Sequence, residues 1–165
     1  MKCPMCNKGK LRTERKDYPF LESGLDNVVL VGLEVRTCNN PECGEELPVI
    51  PKLSELHRVI AHTLARQPQK LRGSEIRFLR KYLGLSGNDA AKTLGVAPET
   101  LSRWENEQSS MGVSVEKLLR YAALMQQPTE VYPPVEVLSK MAREKAPRGQ
   151  IRLNAKKAIW LPAAA

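Results

Sequence analysis

Two close pairs of cysteines open the chain and hold all four that it contains. Cys3 and Cys6 are separated by Pro4 and Met5; Cys38 and Cys43 are separated by four residues and followed by Gly44. Thiols spaced in this way do one of three things: they bridge as disulfides in oxidising compartments, exchange electrons on a βαβ scaffold, or hold a metal. Residues 1–20 carry Lys2, Lys8, Lys10, Arg12, Glu14, Arg15 and Lys16, which is no secretory signal. No apolar run reaches the ~18 residues of a membrane span. A cytoplasmic chain is therefore expected, in which disulfides do not persist. No βαβ pattern surrounds the pairs, so a redox role is disfavoured. The remaining chemistry is zinc held tetrahedrally by Cys3, Cys6, Cys38 and Cys43. Four protein ligands leave no open position, so the zinc is expected to be structural, not catalytic.

Some element must bring the two pairs together. Val28-Val29-Leu30-Val31 and Leu33-Glu34-Val35 read as strand, with Gly24 and Gly32 at turns or a bulge. A β-hairpin is expected to close one knuckle on the other. So few apolar residues need a staple, and structural zinc supplies an apparent ~10–16 kcal/mol near neutral pH. The two prolines of Pro48–Lys52 close this β-rich zinc-binding domain, placed at residues 1–50.

A second constellation lies at Gly87–Asn106. Ala90, Ala91 and Leu94 share one face of a short helix, and Leu101 and Trp104 repeat the spacing on a second. Between them Gly95 suits a left-handed helix end and Pro98 suits the first turn of the next helix. Two short helices meeting at a steep angle form a helix-turn-helix. Trp104 reads as core, which leaves Glu99, Thr100, Ser102 and Arg103 outward. An ordinary helical corner would show the same periodicity. The chain's net charge of +8 and pI near 9.5 add weak support for a polyanionic partner. In such docking the N-terminal part of the second helix enters the major groove. Pro98 starts that helix, Arg103 is suited to a guanine edge, Glu99 to a cytosine amine and Thr100 to a thymine methyl. Ser86, Asn88, Ser102 and Asn106 are expected to hold phosphates.

The remaining segments frame this motif. Leu53–Arg66 has helical periodicity through Leu53, Leu56, Ile60 and Leu64, and its His57 and His62 read as core-edge or solvated groups. Ser74 and Ser114 read as caps of two further helices, the latter with an apolar face of Val115, Leu118, Leu119, Ala122 and Met125. Five helices are thus expected in an all-α domain over residues 51–127, whose last helix offers a dimer surface. Beyond it Pro128, Pro133 and Pro134 break the pattern, and Val135–Arg143 reads as one short helix. Lys140–Lys157 holds seven Lys/Arg against Glu144 alone. Residues 128–165 read as a Pro-containing basic tail. The expected class is α+β, and no catalytic constellation points to an enzyme.

At Leu85–Asn106 the sequence resembles the Xre/Cro class of repressors, which usually carries Gln where Gly87 stands; Ser86 or Asn88 would take over its phosphate contact. A four-cysteine module ahead of such a motif is similar to the MqsA (or YgiT) family of antitoxins. The resemblance rests on Met1–Cys6, Val31-Gly32-Leu33 to Cys38, Cys43-Gly44-Glu45-Glu46 and Leu101-Ser102-Arg103-Trp104-Glu105. That family usually shows CxxCG twice; here Asn7 stands for the first glycine and the second knuckle is two residues longer. The resemblance implies an antitoxin that represses transcription. Its zinc module would bind a toxin, often an mRNA-cleaving ribonuclease, through the hairpin around Val28–Val35. Its helical domain would dimerise on a palindromic operator of double-stranded DNA. The alternatives are a stand-alone zinc-containing Xre-type regulator without a toxin, and a zinc-ribbon adaptor in an RNA or phage complex that uses the basic tail.

Overall fold

Val28–Cys38 forms the long strand β2, on which a mixed sheet is built. Strand β1 (Leu11–Pro19) pairs antiparallel along one edge, from Leu11 opposite Cys38 to Pro19 opposite Val29. The register shifts at Asp17, which faces both Val31 and Gly32. Gly32 takes φ +65° there, and its N–H reaches the Asp17 carboxylate at 3.2 Å. This bulge keeps the inward face apolar, because burial passes from Val28 and Leu30 to Leu33 and Val35 across the extra residue. Along the opposite edge of β2, β3 (Glu46–Pro48) pairs antiparallel at Val35–Thr37.

In this computed structural model residues 1–126, 149–155 and 159–162 are described. The chain divides into two units, one of Met1–Leu21, Asp26–Leu56 and Gln150–Ala165, the other of Glu22–Leu25 and His57–Gly149. The architecture is α+β, strands with the cysteine cluster followed, among the described residues, by five α-helices. Among the described residues no helix is long and apolar enough to cross a membrane.

The first unit differs from expectation at its far end. Ile151–Asn154, assigned from sequence to the basic tail of residues 128–165, is strand β4, parallel to Val28–Val31 of β2. A short β5 (Leu161–Pro162) pairs antiparallel with it. Ile151, Leu153 and Trp160 are buried, whereas Arg152 is exposed. The alternation of a half-buried strand was therefore present, hidden beneath the charge count. A parallel pair needs a long crossover, and the helical unit is inserted within it. The expected helix at Val135–Arg143 lies outside the described residues.

The second unit contains α1 (Leu53–Arg66, from His57 onward), α2 (Gly73–Tyr82), α3 (Gly87–Leu94), α4 (Pro98–Glu105) and α5 (Val113–Gln126). Neither Ser74 nor Ser114 is a cap. Arg72 precedes α2, its N–H donating to the Glu75 carboxylate at 2.7 Å, and α5 begins at Val113. The face that α5 buries is Glu116, Leu119, Arg120, Ala123 and Leu124, leaving Leu118 and Met125 outside. Hydrophobic periodicity misses this rotation because two of the buried positions are charged. The Arg120 guanidinium bonds the Glu116 carboxylate at 2.6 Å and donates to the carbonyls of Leu64, Ala65, Gln67 and Gln69. Glu116 in turn accepts the Leu71 N–H at 2.9 Å. One ion pair thus satisfies the end of α1 and the linker that follows it.

Candidate metal centre and nucleic-acid interface

The sulfurs of Cys3, Cys6, Cys38 and Cys43 lie within 4.8 Å of one another. Cys3 Sγ is 3.9 Å from Cys43 Sγ and Cys6 Sγ is 3.7 Å from Cys38 Sγ, so none is bridged. The hairpin brings them together as its register dictates, since Leu11 faces Cys38. An isolated bridge from Lys2 to Lys10 folds the first knuckle back on itself.

Each knuckle is a tight turn closed by a left-handed residue. The Cys3 carbonyl accepts from Asn7 N–H at 2.9 Å, and the Asn40 carbonyl accepts from Gly44 N–H at 2.9 Å. Asn7 has φ +55° and Gly44 φ +57°. Asn40 thus occupies the turn position that Cys3 holds in the first knuckle, while the ligating sulfur comes from Cys38 at the end of β2. The two extra residues leave the turn itself unchanged.

Backbone donors favour anionic sulfur here. Gly9 N–H donates to Cys6 Sγ at 3.4 Å and Asn40 N–H to Cys38 Sγ at 3.5 Å. The Gly9 and Lys8 N–H groups pull the Cys6 thiol down to about 6. At Cys38 the Asn40 N–H favours the thiolate, but burial and the three neighbouring cysteines push it up to about 12. Cys43 also rises: the Glu45 N–H is outweighed by burial and by other sulfurs. Four sulfurs crowd together, and only a cation at their centre lets all four ionise. Gly9 completes the cradle, since a Cβ there would lie 2.4 Å from Cys38 Sγ. The four cysteines are positioned to bind a metal ion.

The helix-turn-helix is built as its residue types require. Ser86 caps α3, its hydroxyl oxygen accepting from Asp89 N–H at 3.1 Å. Gly95 ends α3 at φ +69°, and Val96 N–H returns to the Ala91 carbonyl at 2.9 Å. Pro98 is the first residue of α4. Ala90, Ala91, Leu101 and Trp104 are buried, which fixes the outward face of α4. The helix is also held from behind: Arg80 forks onto the Glu105 carboxylate at 2.5 and 3.2 Å, and Arg77 reaches the Glu105 carbonyl at 3.3 Å.

An open cleft of about 640 Å³ runs between the starts of α3 and α4, lined by Asn88, Pro98, Glu99, Ser102 and Arg103 among others. Three residues expected at this face have other surroundings. Ser86 is engaged in its cap, donating to Asp89 Oδ2 at 2.6 Å. Thr100 is half-buried. Asn106 accepts from Arg77 at 3.0 Å and donates to Ser102 Oγ at 3.3 Å. Conversely, Gln108 lines the cleft, although no pattern in the sequence singles it out. Its N–H caps the Arg103 carbonyl at 2.9 Å after the left-handed Glu107, a chain reversal that no local motif announces.

A family model described as the antitoxin component of a bacterial toxin-antitoxin system, MqsA, matches residues 1–130. No curated protein matches the chain.

Proposed function

The chain belongs to the MqsA family of antitoxins, and from this we propose that it neutralises a protein toxin and represses transcription as a homodimer on a palindromic operator. The observation that carries the DNA half is the division of α4. Leu101 and Trp104 are buried, while Glu99, Ser102 and Arg103 stand exposed beside the start of α3. A helix presented in this way enters the major groove by its N-terminal turns. Arg103 then reaches a guanine edge bidentately, and Asn88 and Ser102 position the backbone. Glu99 faces the base amines and repels phosphate, which restricts the register.

Zinc suits the cysteine centre. A Zn–S bond of ~2.3 Å gives a regular tetrahedron with edges of about 3.8 Å, beside the sulfur separations of 3.7 and 3.9 Å. Cys3, Cys6, Cys38 and Cys43 would hold it with no position open, so its role is to staple the small sheet from which the toxin is recognised.

The test is purified chain offered its own upstream promoter and a scrambled duplex of equal length, with bound metal quantified in the same sample. Preference for the promoter together with one zinc per chain supports the reading. Equal binding to both duplexes would overturn the DNA half. Copurification of the product of an adjacent reading frame tests the toxin half.

A further inference from the structure

The edge of β2 at Val28–Val31 belongs to the central strand of the first unit's sheet. It holds four consecutive aliphatic residues, with β1 on one side and only a four-residue strand on the other. Unpaired, it would be an open template for any extended chain. The present occupant is β4. Ile151 N–H donates to the Asn27 carbonyl at 2.7 Å and Ala155 N–H to the Val31 carbonyl at 3.3 Å. Ile151 and Leu153 are buried on one face, and Arg152 on the other meets Asp17 of β1 at 2.5 Å. Farther on, Trp160 is buried and its indole N–H donates to the Pro51 carbonyl at 2.9 Å. This segment lies beyond residues 1–130, the stretch that matches the family.

We propose that Val28–Val31 is a strand-acceptor site for one extended peptide with aliphatic residues at alternate positions. The chain's own Ile151–Asn154 keeps it filled, and a strand of a partner protein competes for it. The main-chain bonds supply affinity and the alternate side chains supply selectivity, as in other strand additions. Parallel pairing over four residues is short enough to exchange, being less stable per residue than antiparallel pairing. The consequence is regulatory: the module that reads a partner carries its own competitor. The idea adds to the antitoxin reading, but its test needs neither DNA nor toxin, so the two can fail separately.

The probe is a fluorescent peptide of residues 149–162. The proteins are the full chain, the full chain carrying Leu153→Pro, which removes a donor in the middle of the β4 ladder, and a chain ending at residue 148. The full chain should bind the peptide at least tenfold more weakly than either variant. Hydrogen exchange at the Val29 and Val31 amides, which share the edge of the Asn27 and Val31 carbonyls, should quicken in both variants. Added peptide should slow it again. Failure of the peptide to bind a variant that keeps its metal and helices would overturn the proposal. So would loss of bound metal from both variants, because the segment would then be inseparable core and not a ligand.

Discussion

Asn7 and Gly44 take the same left-handed backbone, φ +55° and +57°, each immediately after a ligand cysteine. Asparagine is one of the few residues with a side chain that tolerates this region, which explains how the first knuckle manages without glycine. Asn7→Gly should leave metal retention unchanged. Asn7→Val puts a branched Cβ into the same region at roughly 1–2 kcal/mol, and should lose metal to a chelator measurably faster. Chelator competition followed by a thiol-reactive dye would check both; equal rates for all three proteins would count against the shared turn.

Cys38→Ser removes one of the four sulfurs and should unfold the first unit while leaving the helical unit's promoter binding within severalfold. The two units have separate cores, and no cysteine lies in the helical one. Circular dichroism and duplex titration on the same sample decide it. Loss of helicity would show that the cysteine module supports both halves.

Arg103→Ala should cost about 1–3 kcal/mol of operator affinity and relax sequence preference. Gly87 stands where the Xre/Cro class that the motif resembles usually carries Gln, has no positive φ, and has open space where a Cβ would be placed. Gly87→Gln should therefore fold and bind operator more tightly, with an unchanged salt dependence, because the amide neutralises no phosphate. Titrations at several salt concentrations separate the two effects. Unchanged binding by both variants would remove α4 from the groove.

Arg120 and Glu116 are, respectively, 0% and 1% exposed. Arg120→Leu strands the Glu116 carboxylate and the carbonyls at the end of α1, a loss of about 3–5 kcal/mol. Adding Glu116→Gln should recover part of it, because the uncompensated charge is gone. Denaturant melts of the single and double variants provide the comparison, and additivity would refute the coupling.

His62 is buried, and burial, followed by Arg66 and Arg58, holds its pKa below the ordinary 6.5. The folded state therefore binds fewer protons than the unfolded one as pH drops through 6.5. Stability is fully present above that value and declines below it until the folded pKa is reached. His62→Phe should flatten this acid limb of the melting profile. A profile identical to the parent's would assign the limb to other groups.

The sequence by itself determined most elements whose cause is local, the Ser74 and Ser114 caps excepted. Cysteine spacing, the Ser86 cap, Gly95, Pro98 and the Leu101–Trp104 repeat each act within one or two turns, and each appears in the structure where its chemistry requires it. Only the tertiary structure decided which side of α5 is inward, because Arg120 is buried by carbonyls more than fifty residues earlier in the chain. It alone also decided that Ile151–Asn154 belongs to the first sheet. Parallel pairing joins segments that are neighbours in space and remote in sequence, and no short-range periodicity encodes the partner. The same holds for Gln108, which is carried to the α4 cleft by a reversal at Glu107. Local chemistry names the parts; burial against distant segments selects which of their faces are used.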